Sequence, residues 1–326
     1  MKTAFVTGGT GFLGFNLVKQ LLEDDWQVIA LHRSSSDLSD LKQLNVRLVE
    51  GDLRDPGSLA KIIPTGVDPV FHVAGNTNMW SLRDKEQTRD NVDGTRNMVD
   101  VALAKKAGRF IHTSSTVAFG WQERVLEETL VSTAPESRIN YFRSKWQAEQ
   151  EVRKGIARAL DAVILNPANI LGPYDYKSWS RLFVLISDGK LPGMPPGTGS
   201  WCHVSDVARA HIRAYEVGRT GQNYLLGGVD ASFLEVAQRI AKLVHRRVPR
   251  RPLPRRLLMV LSYLSLWGSY VTHSEPDITP EKVRLLSGDL RCRSDKAVSD
   301  LSYRSASLDE MIGDSYRWLV STGRLG

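Results

Sequence analysis

Short apolar runs alternate with segments of helical periodicity along the first half of the chain. Ala4, Phe5 and Val6 form a run of the kind that makes a buried strand in a parallel sheet. Leu13, Leu17, Val18, Leu21 and Leu22 then recur at helical spacing. Residues 27–31, 46–49, 70–73, 109–113 and 162–165 repeat the strand pattern. Between them lies a short helix around Leu59, Ile62 and Ile63, opened by Asp55-Pro56 as cap and first turn. A long helix follows over 85–106, with Asn91, Gly94 and Asn97 as polar or small interruptions, and another over 140–159. Strand and helix at this rhythm predict an α/β protein with a doubly wound parallel sheet. Past Asn166-Pro167 the rhythm breaks into loop-rich, aromatic stretches at 172–179 and 191–197, and helical patterns return around 207–217, 234–243 and 308–320. The expected division is a sheet domain over 1–170 and a smaller substrate lobe over 171–326, with 222–226 able to rejoin the sheet.

The first strand turns into the first helix through Gly8-Gly-Thr-Gly11-Phe-Leu-Gly14. Glycines at that junction let the backbone approach a pyrophosphate, whose charge helix N-terminal N–H groups can hold. A dinucleotide is therefore expected there. At the end of the second strand, where an NAD-binding protein of this type carries an acidic residue for the ribose, this chain has His32-Arg33-Ser-Ser-Ser36. A guanidinium pairs with a 2′-phosphate and a carboxylate repels it, so Arg33 favours NADP over NAD. Asp52 is a candidate for the adenine edge. Ala74-Gly75 leaves room for the cofactor at the end of the fourth strand.

Composition narrows the class. With 326 residues, 42% hydrophobic and 24% charged, the chain is ordinary for a globular protein. Cys202 and Cys292 are its two cysteines, so neither a disulfide framework nor a zinc site is expected. The first strand begins almost at Met1 and no run of 18 apolar residues occurs, so the expectation is a cytoplasmic protein without leader or membrane span. The formal charge is +7, and six of those charges are Arg246, Arg247, Arg250, Arg251, Arg255 and Arg256; the remainder balances to +1. One local basic feature is implied, not a nucleic-acid-binding surface. Behind it, residues 257–271 are largely apolar. That segment near 255–271 reads either as a peripheral membrane contact or as a lobe helix packed on the core behind a solvated basic loop, and the second reading is preferred.

The chemistry centres on Tyr141 and Lys145, four residues apart on one helical face, with Ser115 at the end of the fifth strand. A phenol near pKa ~10 needs help to exchange a proton at neutral pH. The expectation is that Ser115 orients a substrate oxygen, Tyr141 exchanges its proton, and Lys145 lowers the tyrosine pKa and holds the ribose.

These motifs resemble an extended short-chain dehydrogenase/reductase of the NAD-dependent epimerase/dehydratase superfamily. The matches include Thr7–Gly14, Gly51-Asp-Leu53, Phe71-His-Val-Ala74, Asn91-Val-Asp-Gly-Thr95, Thr113-Ser-Ser115, Tyr141 with Lys145, Asn166-Pro-Ala-Asn-Ile-Leu-Gly-Pro173 and His203-Val-Ser-Asp-Val207. The branch it is most similar to holds dihydroflavonol-4-reductases, 3β-hydroxysteroid dehydrogenases and hopanoid-associated epimerase-like proteins. The resemblance implies a Rossmann fold and catalysis by Ser115, Tyr141 and Lys145; Ser115 fits because it stands five residues before Gly120. It also implies a cofactor held by Gly8, Gly11, Phe12 and Leu13, by Arg33, Asp52 and Leu53, and by Ala74, Tyr141, Lys145 and Pro167. Nucleotide-sugar epimerases of the superfamily carry an Arg-Asp pair before the His-Val-x-Asp motif, whereas this chain has Gly199-Ser-Trp-Cys-His203. It also lacks the common arginine before Pro167. The expected activity is thus an NADP-dependent oxidoreductase acting on a carbonyl or secondary alcohol of a small, largely apolar molecule. A sugar epimerase or dehydratase is the alternative, and an intact triad argues against a non-catalytic cofactor sensor. Asn78, Trp80, Asn169, Trp179 and Trp201 are pocket candidates. A homodimer through the 85–106 and 140–159 helices is expected by resemblance, with Met98, Val101 and Ala102 as contacts.

Overall fold

The computed structural model describes residues 2–272 and 274–325, apart from the side chain of Val271. Its first half runs β1 (Thr3–Thr7), α1 (Phe12–Glu23), β2 (Gln27–His32), β3 (Arg47–Glu50), α2 (Pro56–Ile62), β4 (Val70–His72), α3 (Asp84–Thr88), α4 (Gly94–Ala104), β5 (Arg109–Thr113), α5 (Asn140–Ile156) and β6 (Asp161–Pro167). The second half continues with β7 (Asn169–Leu171), α6 (Ser180–Ser187), β8 (Thr198–His203), α7 (Val204–Val217), β9 (Asn223–Leu226), β10 (Val229–Ser232) and α8 (Phe233–Leu243). It ends with α9 (Arg255–Thr272), α10 (Pro280–Leu286), β11 (Asp289–Leu290), α11 (Asp295–Leu301) and α12 (Leu308–Ser321).

Seven parallel strands form one sheet in the order β3-β2-β1-β4-β5-β6-β9. The direction of winding reverses between β1 and β4, which opens a crevice at their carboxyl ends. Alternate strand residues feed two cores. On one face Phe5, Ile29, Val70, Phe110 and Ile164 pack with Leu59, Met98, Val101, Ala102 and Val152. On the other Ala4, Val28, Phe71, Ile111 and Val163 pack with Leu17 and Leu21 of α1 and Val207 of α7. A smaller sheet of β7, β8, β10 and β11 carries the lobe, whose core gathers Phe183, Trp201, Phe233, Ile240 and Met311.

Two expectations change. The long helix over 85–106 is not regular: one π turn, Arg89–Asp93, separates α3 from α4. Met98, Val101 and Ala102 are not dimer contacts, because they face the sheet and are buried in the chain's own core. As expected, 222–226 rejoins the sheet: β9 pairs with β6, and α7 also packs back on α1, where Gln20 Nε2 donates to the Ser205 carbonyl.

Candidate active site

The glycine turn follows from backbone necessity. Gly8 has φ +74°, and a Cβ there would stand 2.6 Å from the Ala74 backbone nitrogen. A Cβ on Gly14 would meet the Gly8 carbonyl oxygen at 2.1 Å, and Gly11 N–H donates to that same oxygen at 2.9 Å. The turn therefore packs directly on the end of β4. Thr7 Oγ1 fastens the two, accepting from Ala74 N–H at 3.2 Å and bonding His72 Nδ1 at 2.9 Å. Gly11 leaves α1 with no side-chain cap, so the N–H groups at Phe12 and Leu13 face the crevice mouth unclaimed by a side chain. Such a terminus fits a pyrophosphate.

Arg33 lies just beyond β2 with its guanidinium exposed, its loop tightened by a bond from Arg33 N–H to Ser36 Oγ at 3.0 Å. Asp52 spends one carboxylate oxygen on Arg54 N–H at 2.9 Å. Leu53 packs where a Cβ on Gly94 would come within 3.1 Å, and its carbonyl accepts from Asn97 Nδ2 at 2.7 Å. The small and polar interruptions noted in the 85–106 pattern thus seat the β3 loop.

Ser115 caps the 3₁₀ turn Thr116–Phe119, accepting from Val117 N–H at 3.4 Å, and its hydroxyl reaches the Pro167 carbonyl at 3.5 Å. Tyr141 enters from the first turn of α5 and its hydroxyl lies close enough to Ser115 for that side chain to favour its ionised form. Lys145, one turn on, is buried and donates from Nζ to the Thr113 carbonyl at 2.8 Å. A Cβ on Gly75 would be 3.4 Å from Nζ, so β4, β5 and α5 converge on the ammonium. The three side chains come together.

Their electrostatics differ from the expectation in one respect. Desolvation pushes the Tyr141 phenol above its ordinary value, and neighbouring Ser115 offsets only part of that. Burial also lowers Lys145 to about 8, with Glu149 opposing. A partly buried phenol is costlier to ionise, and the lysine's Nζ is directed at the Thr113 carbonyl.

Several residues beneath the site had no structural role assigned from the sequence. Asn91, in the π turn, accepts from Asn76 N–H at 2.7 Å and donates to the Asn76 carbonyl at 2.9 Å and Ser144 Oγ at 3.1 Å. It ties the loop after β4 to α5. Glu149 is buried and accepts from Asn166 Nδ2 at 2.6 Å and Asn223 Nδ2 at 3.0 Å, joining α5 to β6 and β9. His72 bridges Thr7 and Thr95, His211 bridges Thr113 and the Val207 carbonyl, and His112 stacks on His72 with no protein partner for either ring nitrogen. A polar residue inside an apolar helix or strand was the available signal for each.

The pocket candidates separate. Trp201 is fully buried in the lobe core, with Trp179 at 4.7 Å between ring centroids, so both are packing residues. Asn169 is committed to the Ser200 carbonyl at 3.0 Å. Trp80 is buried and donates to Ser269 of α9 at 3.2 Å, while Asn78 caps Trp80 N–H and reaches Glu275 at 3.3 Å.

Comparison with known proteins agrees with this architecture. The model of the NAD dependent epimerase/dehydratase family matches residues 4–227. A putative dihydroflavonol 4-reductase of Synechocystis sp. is 30% identical over 98% of this chain and 95% of its own. Sterol demethylase protein B of Methylococcus capsulatus is 29% identical over 99% and 100%. The crystal structure of gox2253 superposes with a TM-score of 0.86 at 29% identity, both chains being covered in full.

Proposed function

The chain belongs to the NAD dependent epimerase/dehydratase family, an NAD(P)-dependent enzyme of oxidoreductase type, and from that premise we propose that it is an NADP-dependent reductase of a ketone on a small, largely apolar molecule. The observation that carries the reading is the convergence of Ser115, Tyr141 and buried Lys145 at the carboxyl end of the sheet. When bound, the nicotinamide coenzyme supplies the hydride. The turn from Gly8 to Leu13 would hold its pyrophosphate, Arg33 its 2′-phosphate and Lys145 its ribose. Asp52, Leu53, Ala74 and Pro167 would line the remainder of its bed. Ser115 orients the substrate oxygen, and Tyr141 donates the proton that the reduced oxygen requires.

The substrate class rests on what replaces charge. Gly199–His203, where sugar-nucleotide epimerases carry an arginine, here lies in β8 and is buried throughout. Nothing cationic is offered to a diphosphate from that strand. Two full-length relatives, a putative dihydroflavonol 4-reductase and a sterol demethylase protein, are named for apolar substrates, which supports this class. The test is consumption of added NADPH in a screen of flavanones, steroids and alkyl ketones. Tightly retained nucleotide with no NADPH consumption, together with turnover of a nucleotide sugar, would make the protein an epimerase instead.

A further inference from the structure

Helix α9 is packed with the wrong residues outward for a helix that faces water. Ser262 is 0% exposed and Ser269 2%, while Val260 is 58%, Leu264 60% and Trp267 70% exposed. Leu257, Leu261, Tyr263 and Tyr270 are exposed as well. The buried hydroxyls are satisfied within the protein: Ser262 donates to the Met259 carbonyl at 2.8 Å, and Ser269 donates to the Leu266 carbonyl at 2.6 Å while accepting from Trp80. The first two bonds stay within the helix, and the Trp80 bond ties its inner face to the loop after β4 in this orientation. At 100° per residue, Val260, Tyr263, Trp267 and Tyr270 form one stripe, and Leu257, Leu261 and Leu264 lie beside it. So large an apolar surface is not left to water without a partner.

The charge beside it indicates which partner. Arg256 heads the stripe, and Arg246, Arg247, Arg250, Arg251 and Arg255 precede it, all exposed. No aspartate or glutamate stands between Glu235 and Glu275 to neutralise them. No described helix is long and apolar enough to cross a membrane. An apolar helical face with aromatic residues, headed by arginines, matches the chemistry of an anionic bilayer surface: leucines and tryptophan enter the acyl boundary while guanidinium groups meet phosphate.

We propose that α9 and the arginine run before it dock the protein on anionic lipid membranes. The docked helix is also fastened to the loop after β4 through Trp80 to Ser269, and the chain beyond the helix adds Asn78 to Glu275 and Thr279 Oγ1 to the Met79 carbonyl at 2.7 Å. That loop is the one Asn91 ties to the catalytic helix. Docking therefore engages an element in direct contact with the site.

The test is co-sedimentation of the full chain with vesicles of phosphatidylcholine alone and of phosphatidylcholine with roughly a third phosphatidylglycerol. The anionic vesicles should carry the protein down, the neutral ones far less, and molar salt should weaken the binding. The double variant Leu264→Ser/Trp267→Ser should lower the bound fraction by roughly tenfold or more. Both side chains are exposed, so its circular dichroism and NADPH affinity should match the unmodified protein. Absence of sedimentation with anionic vesicles, or equal binding by the double variant, overturns the proposal. So does a dimer that the double variant dissociates in protein that ignores vesicles, which would give the face to a second copy. Sedimentation is read without turnover, so its failure leaves the proposed reaction untouched.

Discussion

The three buried histidines below the active site make stability depend on acid in a calculable way. His72 is lowered to about 3 and His211 to about 4, in both cases chiefly by burial, and His112 is driven well below its ordinary value for the same reason. A folded pKa below the unfolded one means that the unfolded chain binds more protons, so the stabilisation is complete above 6.5 and is lost as pH falls towards 4. For His72 and His211 the loss between pH 7 and pH 5 is about 2 kcal/mol each, and His112 loses stability in the same direction. That is a large share of the whole stability of many domains, roughly 5–15 kcal/mol. The discriminating variant is His112→Phe, which keeps the ring's shape and removes two nitrogens that find no protein partner. An unpartnered buried polar group costs about 1–3 kcal/mol, so the variant should be as stable as the parent at pH 7, or more so. Its loss between pH 7 and pH 5 should be measurably smaller than the parent's. Urea denaturation at the two pH values, followed by tryptophan fluorescence, measures both quantities. Equal losses in the two proteins, or a parent whose stability is flat over this range, would refute the reasoning.

Gly8→Ala forces an L-residue to φ +74° and puts its Cβ 2.6 Å from the Ala74 nitrogen. The left-handed backbone alone costs about 1–2 kcal/mol, so calorimetry should show weaker NADPH binding and denaturation a lower midpoint. Arg33→Ala should weaken NADPH binding by about 1.5–3 kcal/mol and leave NADH nearly unchanged; tighter NADH than NADPH binding in the parent would overturn the cofactor assignment. If α4 and α5 pair across a two-fold axis through their outer, charged faces, light scattering at high micromolar concentration should report a dimer. A monomer there would remove that arrangement.

The sheet was legible because its signals are local. Apolar runs of three to five residues, a glycine turn and helical spacing placed β1 to β6, and 222–226 was already a candidate for the seventh strand. The triad was legible for the same reason: a strand end and a helix first turn have few ways to present Ser115, Tyr141 and Lys145. The π turn was not, since Arg89–Asp93 contains one apolar residue, Val92, from which a slip in phase could be read. The lobe sheet was missed because β8, Thr198–His203, begins with Thr-Gly-Ser and reads as loop. Helix α9 defeats periodicity altogether: a pattern that places leucines inward is overridden by the Ser262 and Ser269 contacts. The direction of the Tyr141 shift was hidden too. Sequence shows the neighbouring ammonium, whereas the cost of ionising a partly buried phenol exists only once the crevice has formed.

The central claim is that Tyr141 gives its proton to the substrate oxygen. Tyr141→Phe removes the hydroxyl and keeps the ring, so fold and cofactor affinity should survive. Once the NADPH screen has provided a substrate, steady-state kinetics on this variant are the most direct measurement. Loss of a positioned acid should lower kcat by about 10²–10⁴-fold while the NADPH dissociation constant stays within error of the parent. Turnover at near the parent rate would contradict the account.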